Sequence, residues 1–361
     1  LAGADWTTEA RVRALGDRVR ERQWAATGSG GTHERLGLTE AMALLDPDLA
    51  VLSYVFTGTD LHAVLVTTAG ATVVDLSWSR VQSALDGLRA DLDMAALTRG
   101  GLMGEVTERA LASRLAILDA ELLAPLLLAA PSAARLAITV PGALGGVPWA
   151  MLSGMSGTPF TLATSVSRLL AGPSRTITRP ASVGFAAGPR VARAGDEVER
   201  AAAAWRRAGV APQTLLTGEA TVAAVTELAA ATDVLHIAAH GRHAVDNPLF
   251  SGFELADGIL FGYDVDLIPR VPATVILSAC ELGRSSVRWG EEALGMTRVW
   301  LHAGADCVIA APVAVPDDVA GDLLSAVHTG LSAGAAPAVA LARAAVDTGV
   351  NAPFQCHGNG F

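Results

Sequence analysis

Two residues follow short apolar runs, and their types could make one a catalytic nucleophile and the other its general base. The first run, Ala273–Leu277, has the length and β-branched content of a strand buried on both faces, and Cys280 comes shortly after it. The second run, residues 232–239, leads into His240 and Gly241. A thiol becomes a nucleophilic thiolate when a base or cation lies near it, and histidine is such a base. We therefore interpret Cys280 and His240 as a candidate catalytic dyad.

The spacing of these two residues allows them to meet. Forty residues separate His240 from Cys280, which is enough for one crossover connection between parallel strands. Neighbouring strands lie about 4.8 Å apart, and open α/β sheets place their chemistry at the carboxyl ends of the strands. Side chains at two adjacent strand ends are therefore expected to face one crevice.

The other cysteines are weaker candidates for chemistry. A buried cysteine is most often a small core side chain, and Cys307 lies inside an apolar run of that kind. Cys356 is followed by His357, but two adjacent ligands without further Cys or His spacing are poor evidence for a metal site.

Two other histidines compete with His240 for the role of base. His236 shares the strand parity of His240 but lies in mid-strand, where a buried, hydrogen-bonded histidine is common. His243 follows the turn and could line the groove. His240 is favoured because Gly241 after it permits a substrate to approach the backbone closely.

Composition excludes several classes of function. With 51% hydrophobic and 17% charged residues, the 361-residue chain can bury a sizeable core. The net charge is −10 and all 26 basic residues are Arg without a basic stripe, so nucleic acid is not expected as a direct partner. The most apolar window, Leu115–Ala130, carries two acidic residues and is interrupted by Pro125, so it is expected to be a core helix and no membrane is expected as a partner. Without any Lys, a Walker-type phosphate loop is excluded, which removes support for a phosphate-binding α/β protein.

The cysteine count and the ends of the chain bear on its compartment. Three cysteines at unrelated spacings fit a reducing compartment, and no signal peptide opens the chain. We therefore expect a cytoplasmic protein. Because the chain begins at Leu1 rather than Met, upstream residues are expected to be missing.

In the first half of the chain, the patterns predict a β-meander among helices. The predicted elements are helices at residues 4–26 and Thr39–Leu45, strands Ala50–Thr57, Leu61–Thr67 and Ala71–Leu76, helices Val81–Leu97 and Glu105–Ala130, the strand Arg135–Val140, and a strand and helix within Thr161–Leu170. Residues 172–180 are the best candidate for a linker.

In the second half, strands and helices alternate, which predicts a mostly parallel sheet covered on both faces. The predicted strands are Ser182–Ala187, Thr214–Leu216, Asp233–Ala238, Ala273–Leu277, Ala305–Ala311 and an edge strand Phe354–His357. The predicted helices are Asp196–Arg207, Thr221–Ala231 with Thr221 as its cap, Glu292–His302, Val319–Thr329 and Ala336–Asp347, and a long loop covers Gly241–Val271.

The order of several short motifs resembles the CHAT domain, a caspase-like family that is also related to separase. The motifs are His240-Gly241, Asn247-Pro248, Ser251-Gly252, Leu255–Gly258, Leu277–Gly283, Gly304-Ala305 and Val315–Asp317, preceded by Leu122–Pro125, Val140–Leu144 and Val147–Trp149. Each motif alone is weak, but their order and spacing together are specific. The resemblance covers roughly residues 36–361.

The resemblance implies an α/β fold with a caspase-like, mostly parallel sheet flanked by helices. A degenerate caspase-like half with the β-meander is expected to precede the active half. The chain would then consist of an N-terminal helical segment at residues 1–35, the degenerate half at residues 36–175 and a catalytic half at residues 176–361.

The resemblance also implies a cysteine endopeptidase that cleaves protein substrates through a thioester. Cys280 would be the nucleophile and His240 the general base, and the amides of Gly241 and Cys280 would stabilise the oxyanion. Asp317 falls where separase-like relatives bind a basic substrate side chain, although it could equally cap or neutralise the start of the next helix. A plain turn is the alternative role for Gly241.

The surroundings of the dyad complete the hypothesis. Asp246 and Glu281 are expected to shape the site without transferring protons, and Glu281 and His243 are expected to line the substrate groove. Relatives often carry Trp ahead of the Val-x-Asp motif where this chain has Ala311–Val313, so the pocket wall is expected to differ. No cofactor or metal is implied. The expected partners are a protein or peptide substrate and an activating partner or upstream sensor domain. The alternative is a non-catalytic caspase-like scaffold that binds partners.

Overall fold

The structure, a computed structural model, describes residues 35–130, 132–172, 180–242, 248–278, 291–313 and 315–361. The helix predicted at residues 4–26 and most of the predicted linker lie outside these ranges. The N-terminal segment predicted at residues 1–35 therefore stays a prediction, as does the division of the remaining chain into two halves.

Fourteen strands occur in the described residues. They are β1 (Leu49–Phe56), β2 (Leu61–Thr67), β3 (Gly70–Leu76), β4 (Arg135–Thr139), β5 (Phe160–Leu162), β6 (Val183–Ala187), β7 (Gln213–Leu215), β8 (Val234–Ala238), β9 (Gly241–Arg242), β10 (Gly252–Glu254), β11 (Ile259–Phe261), β12 (Thr274–Ser278), β13 (Cys307–Ala310) and β14 (Gln355–Gly358). Eleven of them form one sheet in the order β3-β2-β1-β4-β5-β14-β13-β12-β8-β6-β7, and β9, β10 and β11 form a small separate sheet.

The predicted β-meander is present at one end of the large sheet. Strands β1, β2 and β3 pair antiparallel in sequence order, and a glycine at the first turn, Gly58, has a φ of 106°. Strand β1 then pairs in parallel with β4. The turn residues Gly58–Asp60 and Ala69-Gly70 are short and polar or small, as tight connections between antiparallel strands require.

Beyond the meander, the strand direction changes once more, between β13 and β14 in the middle of the large sheet. Strands β6, β7, β8, β12 and β13 are parallel to one another, whereas β14 is antiparallel to β13 and parallel to β5. The prediction of an edge strand at Phe354–His357 is therefore wrong, because β14 joins the two parallel groups at the centre. All four β14 residues are buried, but two of them are the polar Gln355 and His357, and a run this short does not reveal whether a strand lies at the edge or in the centre.

Twelve α-helices flank the sheets in the described residues. They are α1 (Leu38–Leu44), α2 (Trp78–Leu85), α3 (Leu88–Thr98), α4 (Gly104–Leu118), α5 (Ala124–Ala129), α6 (Val166–Ala171), α7 (Ala194–Arg207), α8 (Val222–Ala231), α9 (Gly262–Val265), α10 (Glu291–Ala303), α11 (Asp317–Ser332) and α12 (Pro337–Thr348). None of them is long and apolar enough to cross a membrane.

Two of the helices predicted in the first half are each divided in two. The helix predicted at Val81–Leu97 breaks between α2 and α3 at Gly87, which has a φ of 84°. The helix predicted at Glu105–Ala130 contains a π-helical turn, Asp119–Leu123, between α4 and α5. Pro125 follows that turn and has no amide hydrogen to donate to the preceding turn, which explains the local change of hydrogen bonding.

Apart from the place of β14, the second half follows the predicted alternation with two differences. The long loop predicted at Gly241–Val271 contains the small sheet and α9, whose strands of two or three residues are too short to show a period. The helix predicted at Val319–Thr329 begins earlier, at Asp317. Thr221 caps α8 as predicted, since its side chain accepts a hydrogen bond from the Ala224 amide at 3.2 Å.

Candidate active site

The carboxyl end of β8 carries the candidate base, His240. Strand β8 lies between β6 and β12 and is parallel to both. Beyond the strand, the Gly188 amide donates to the Ala238 carbonyl at 2.8 Å and the Ala239 amide donates to the Ser278 carbonyl at 3.1 Å. The backbone that leads to His240 is therefore held by both neighbouring strands.

The ring of His240 has a defined orientation. It is half-buried, and its Nε2 atom lies 3.1 Å from the carbonyl oxygen of Arg190. A carbonyl oxygen only accepts hydrogen bonds, so Nε2 must carry the hydrogen in this contact. In the neutral ring the lone pair is then on Nδ1, which is the nitrogen that can accept a proton.

Contacts among Arg190, Glu254 and His240 hold the loop that supplies this carbonyl. Arg190 has a φ of 63° and is the one non-glycine residue with a positive φ among the described residues. Its guanidinium pairs with the carboxylate of Glu254, and the Glu254 amide donates to the His240 carbonyl at 2.8 Å. The left-handed backbone is a conformation that the surroundings must stabilise, and these contacts do so.

A glycine makes the close approach of this loop possible. A Cβ atom added at Gly188 would lie 2.6 Å from the Cβ of Ala239 and 2.7 Å from the carbonyl oxygen of Glu254. Only glycine fits between the end of β8 and the small sheet at this position.

The strand that leads to Cys280 is β12, which is fully buried. In the parallel register of β8 and β12, Ala238 lies opposite Ser278. His240 follows Ala238 by two residues, and Cys280 follows Ser278 by two residues. Cys280 itself lies outside the described residues, as do the predicted groove residues Glu281, His243 and Asp246.

Gly241 and Asp317 are the other predicted site residues that the structure describes. Gly241 begins β9 directly after His240 and lies opposite Phe253 of β10. Asp317 is the first residue of α11, and Pro316 occupies the N-cap position without a side-chain cap. Asp317 is therefore not the cap, but its carboxylate lies in the first helical turn, where negative charge is favourable.

The two remaining cysteines are buried and reduced. Cys307 on β13 and Cys356 on β14 face the same core, and burial, together with the contact to Cys307, raises the pKa of the Cys356 thiol. His357 follows Cys356 in the same strand, so their side chains point to opposite faces of the sheet. A metal site formed by Cys356 and His357 is therefore excluded by geometry.

His236 has the role that its mid-strand position predicts, that of a buried, hydrogen-bonded histidine. It is 0% exposed, and its Nδ1 atom lies 3.0 Å from Nε2 of His328. Sequence reasoning missed His328 and Arg190. No pattern marks an arginine whose contribution is a backbone carbonyl, and His328 has the appearance of a polar residue on an amphipathic helix.

Comparison with known proteins agrees with this architecture. The family model of the CHAT domain matches residues 112–350. Among solved structures, separase in the Saccharomyces cerevisiae separase–securin complex matches with a TM-score of 0.58 and 9% identity, over 88% of this chain and 30% of that chain. A comparison with curated proteins gave no match. At this identity the likeness concerns the fold, and the predicted caspase-like sheet flanked by helices is confirmed. Because the family model covers more than half of its length, this chain belongs to the CHAT domain family.

Proposed function

We propose that this chain is a cysteine endopeptidase in which Cys280 is the nucleophile and His240 is the general base. One observation carries the proposal. The candidate residues follow two hydrogen-bonded parallel strands at equal distances from a register pair, Ala238 and Ser278. Adjacent strand ends at the carboxyl edge of a sheet are where α/β proteins bind ligands. Membership of the CHAT family supports a protease-type domain.

The proposed reaction begins with transfer of the Cys280 thiol proton to Nδ1 of His240. The thiolate sulfur bonds to the peptide carbonyl carbon, and the carbonyl electron pair moves to the oxygen. The amides of Gly241 and Cys280 donate to that oxyanion. When the intermediate collapses, the C–N bond breaks and the leaving amine takes the proton from His240. Water then attacks the thioester, with His240 again as the base, and the acid product leaves while the thiol is restored.

The Arg190 carbonyl orients the base in this scheme. It accepts the Nε2 hydrogen at 3.1 Å, which selects the tautomer with a basic Nδ1. A backbone carbonyl thus acts as the third group that positions the base.

The substrate is proposed to be a protein or peptide that binds along the carboxyl edge of the sheet. Asp317 would meet a basic side chain next to the cleaved bond, and Glu281 and His243 would line the groove. The solved separase forms a complex with securin. By analogy, we propose that a protein partner or an upstream sensor domain controls the activity of this chain.

The test is peptide hydrolysis by the parent protein and by Cys280→Ala. Fluorogenic peptides with Arg or with a neutral residue at the cleaved position would be compared. We expect turnover by the parent that Cys280→Ala abolishes and the core variant Cys307→Ala retains, with the Arg peptides preferred. Equal turnover by parent and Cys280→Ala would refute the proposal and favour a non-catalytic scaffold that binds partners through the same fold.

A further inference from the structure

A row of neighbouring polar side chains is buried at β8, the strand that leads to His240. The Trp205 indole N–H donates to Nδ1 of His328 at 2.9 Å, and Nε2 of His328 lies 3.0 Å from Nδ1 of His236. Nε2 of His236 in turn lies 2.9 Å from Oε1 of Glu197, close but not aligned as a regular hydrogen bond. The exposed fraction of these four residues is between 0% and 3%.

The indole fixes the direction of every proton in this row. An indole N–H only donates, so Nδ1 of His328 must accept and its hydrogen must lie on Nε2. Nε2 of His328 then donates to Nδ1 of His236, which leaves the His236 hydrogen on Nε2, facing Glu197. Burial, and next the neighbouring His236, hold the pKa of His328 well below its ordinary value, in agreement with a neutral ring. If Nδ1 of His236 also carried a hydrogen, Nε2 of His328 would have to accept it. The hydrogen of His328 would then lie on Nδ1, which could no longer accept the hydrogen bond from the Trp205 indole.

These four buried side chains connect three elements, and each element leads to a part of the proposed site. His236 lies on β8, which ends before His240. Glu197 lies in the first turn of α7, directly after the loop that presents the Arg190 carbonyl. His328 lies on α11, whose first residue is Asp317.

Ring packing reinforces the connection. The two histidine rings stack with a centroid distance of 5.1 Å and an interplanar angle of 9°. Phe185 of β6 contacts the His328 ring at 4.9 Å and the His236 ring at 5.9 Å between centroids. Strand β6 leads to the Arg190 loop, so a fourth element is held by the same cluster.

Apolar side chains in these places would give comparable stability without the directional contacts. A buried polar chain stabilises little in net terms because each group loses its hydration, but it permits one relative placement of the elements that it joins. An apolar contact between α7, α11 and β8 would tolerate sliding.

We propose that Trp205, His328, His236 and Glu197 are positioning residues that hold α7 and α11 in register with β8. They thereby keep the Arg190 carbonyl and Asp317 at fixed places relative to His240. The inference deepens the proposed peptidase function and rests on it.

The main test replaces Trp205 by Phe, which keeps an aromatic ring and removes the donor. Trp149→Phe is the matched control, because Trp149 is also 0% exposed but its indole nitrogen has no hydrogen-bond partner. A displacement of about 1 Å at a reacting group lowers rates roughly 100-fold, so we expect kcat to fall at least about tenfold in Trp205→Phe. Trp149→Phe should remain within about twofold of the parent protein, well below the effect of misplacement.

A second readout does not depend on catalysis. Histidine-selective 15N NMR reports which ring nitrogen carries the hydrogen. The parent should show the Nε2–H form at His236, His328 and His240, and Trp205→Phe should lose the protected Nε2–H signal of His240. If the parent cleaved no peptide, the proposed function would fail while this signal still tested the positioning. An unchanged His240 signal and an unchanged kcat in folded Trp205→Phe would overturn the inference.

Glu197 provides a second pair of variants in case Trp205→Phe does not fold. Glu197→Gln keeps a polar oxygen next to Nε2 of His236, whereas Glu197→Leu removes it at similar size. We expect Glu197→Leu to reproduce the loss of the His240 signal and of kcat, and Glu197→Gln to restore most of both. Equal behaviour of the two variants, both like the parent, would contradict the proposal.

Discussion

The two ends of the large sheet differ in what they bury. Among the described residues, and leaving Tyr and Trp aside, every buried polar or charged side chain except Thr161 comes after residue 180. The core beneath β1, β2 and β4 is formed by aliphatic and aromatic side chains, among them Leu52, Leu122 and Trp149. The core beneath β6, β8 and β12 instead contains the Trp205–His328–His236–Glu197 chain.

If the proposed site is correct, this difference separates a part of the molecule that gives stability from a part that positions the site. Burial of polar groups costs hydration and contributes little net stability, so an apolar core is the simpler way to hold a sheet together. The row of polar side chains lies at β8, the strand that leads to His240. We infer that the first end of the sheet chiefly supplies stability and the second chiefly supplies geometry.

The largest effect is expected from removal of His240, the proposed base, which follows a strand of the second end. His240→Ala should lower kcat for peptide hydrolysis by about 1,000-fold, in the range that general base catalysis contributes. The fold should persist, because the side chain is only half-buried and β8 ends before it. Steady-state kinetics together with circular dichroism measure both effects. A His240→Ala protein that keeps even a tenth of the parent rate would contradict the role of this residue.

His357 on β14, which lies between the two ends of the large sheet, is expected to make stability depend on pH. Burial, and next the positive charge of Arg298, lower the pKa of His357 on β14 to about 4. Because its folded pKa lies below its ordinary value, the unfolded chain binds the proton first as pH falls. His357 therefore gives full stability above about pH 6.5 and loses on the order of 3 kcal/mol as pH falls towards 4.

Urea unfolding of the parent and of His357→Leu at pH 7, 5.5 and 4 measures this loss. We expect the stability of the variant to depend less on pH in this range. His62→Gln controls for the loss of a histidine that is not fully buried, since His62 is partly exposed and pairs with Asp75 at 2.7 Å. Parallel pH profiles for the parent and His357→Leu would contradict the assignment.

Tyr54→Phe tests whether the first end acts through stability alone. The Tyr54 hydroxyl donates to the Leu122 carbonyl at 2.7 Å within the buried core. Its loss leaves a buried carbonyl without that donor, and we expect a cost of about 1 kcal/mol in the free energy of unfolding. The kcat for peptides should not change. If kcat fell while the protein remained folded, the first end would also influence the site, and the comparison would fail.

The smallest expected effect concerns an exposed ion pair between the two ends. Arg99, just after α3, pairs with Asp318 of α11 at 2.8 Å, and both side chains are about half exposed. Exposed pairs of this kind are worth about 0.5 kcal/mol and weaken with salt. A double-mutant cycle with Arg99→Ala and Asp318→Ala should give a coupling of that size at low salt. The pair Arg89 and Asp93 lies within α3 at 3.6 Å and is the control. A coupling free energy several times larger that persisted in high salt would contradict this expectation and show that the pair contributes substantially to stability.

Sequence patterns predicted the elements well wherever periodicity or capping is strong. The meander, the cap at Thr221 and the strands before His240 and Cys280 follow from alternation, turn residues and apolar runs. The central place of β14 did not follow, because pairing between distant segments leaves no mark on four residues. The small sheet after His240 was missed for a similar reason, since its strands are as short as two residues.

The candidate site was predictable only in part. A histidine followed by glycine at a strand end carries a signal, and so does a cysteine at the next strand end. The Arg190 carbonyl carries none, because any residue has a carbonyl and its direction depends on a left-handed backbone that contacts with β10 and with the end of β8 stabilise. The partnership of His236 with His328 also depends on the packing of α11 against β8, which local sequence does not encode.

The most direct test of the central claim is the reactivity of Cys280 towards a thiol-specific electrophile, measured for each cysteine by mass spectrometry. We predict that Cys280 in the parent protein reacts much faster than the buried Cys307 and Cys356, and that His240→Ala removes most of this advantage. If Cys280 reacted no faster than an ordinary exposed thiol, with a rate independent of His240, the two residues would not form a dyad.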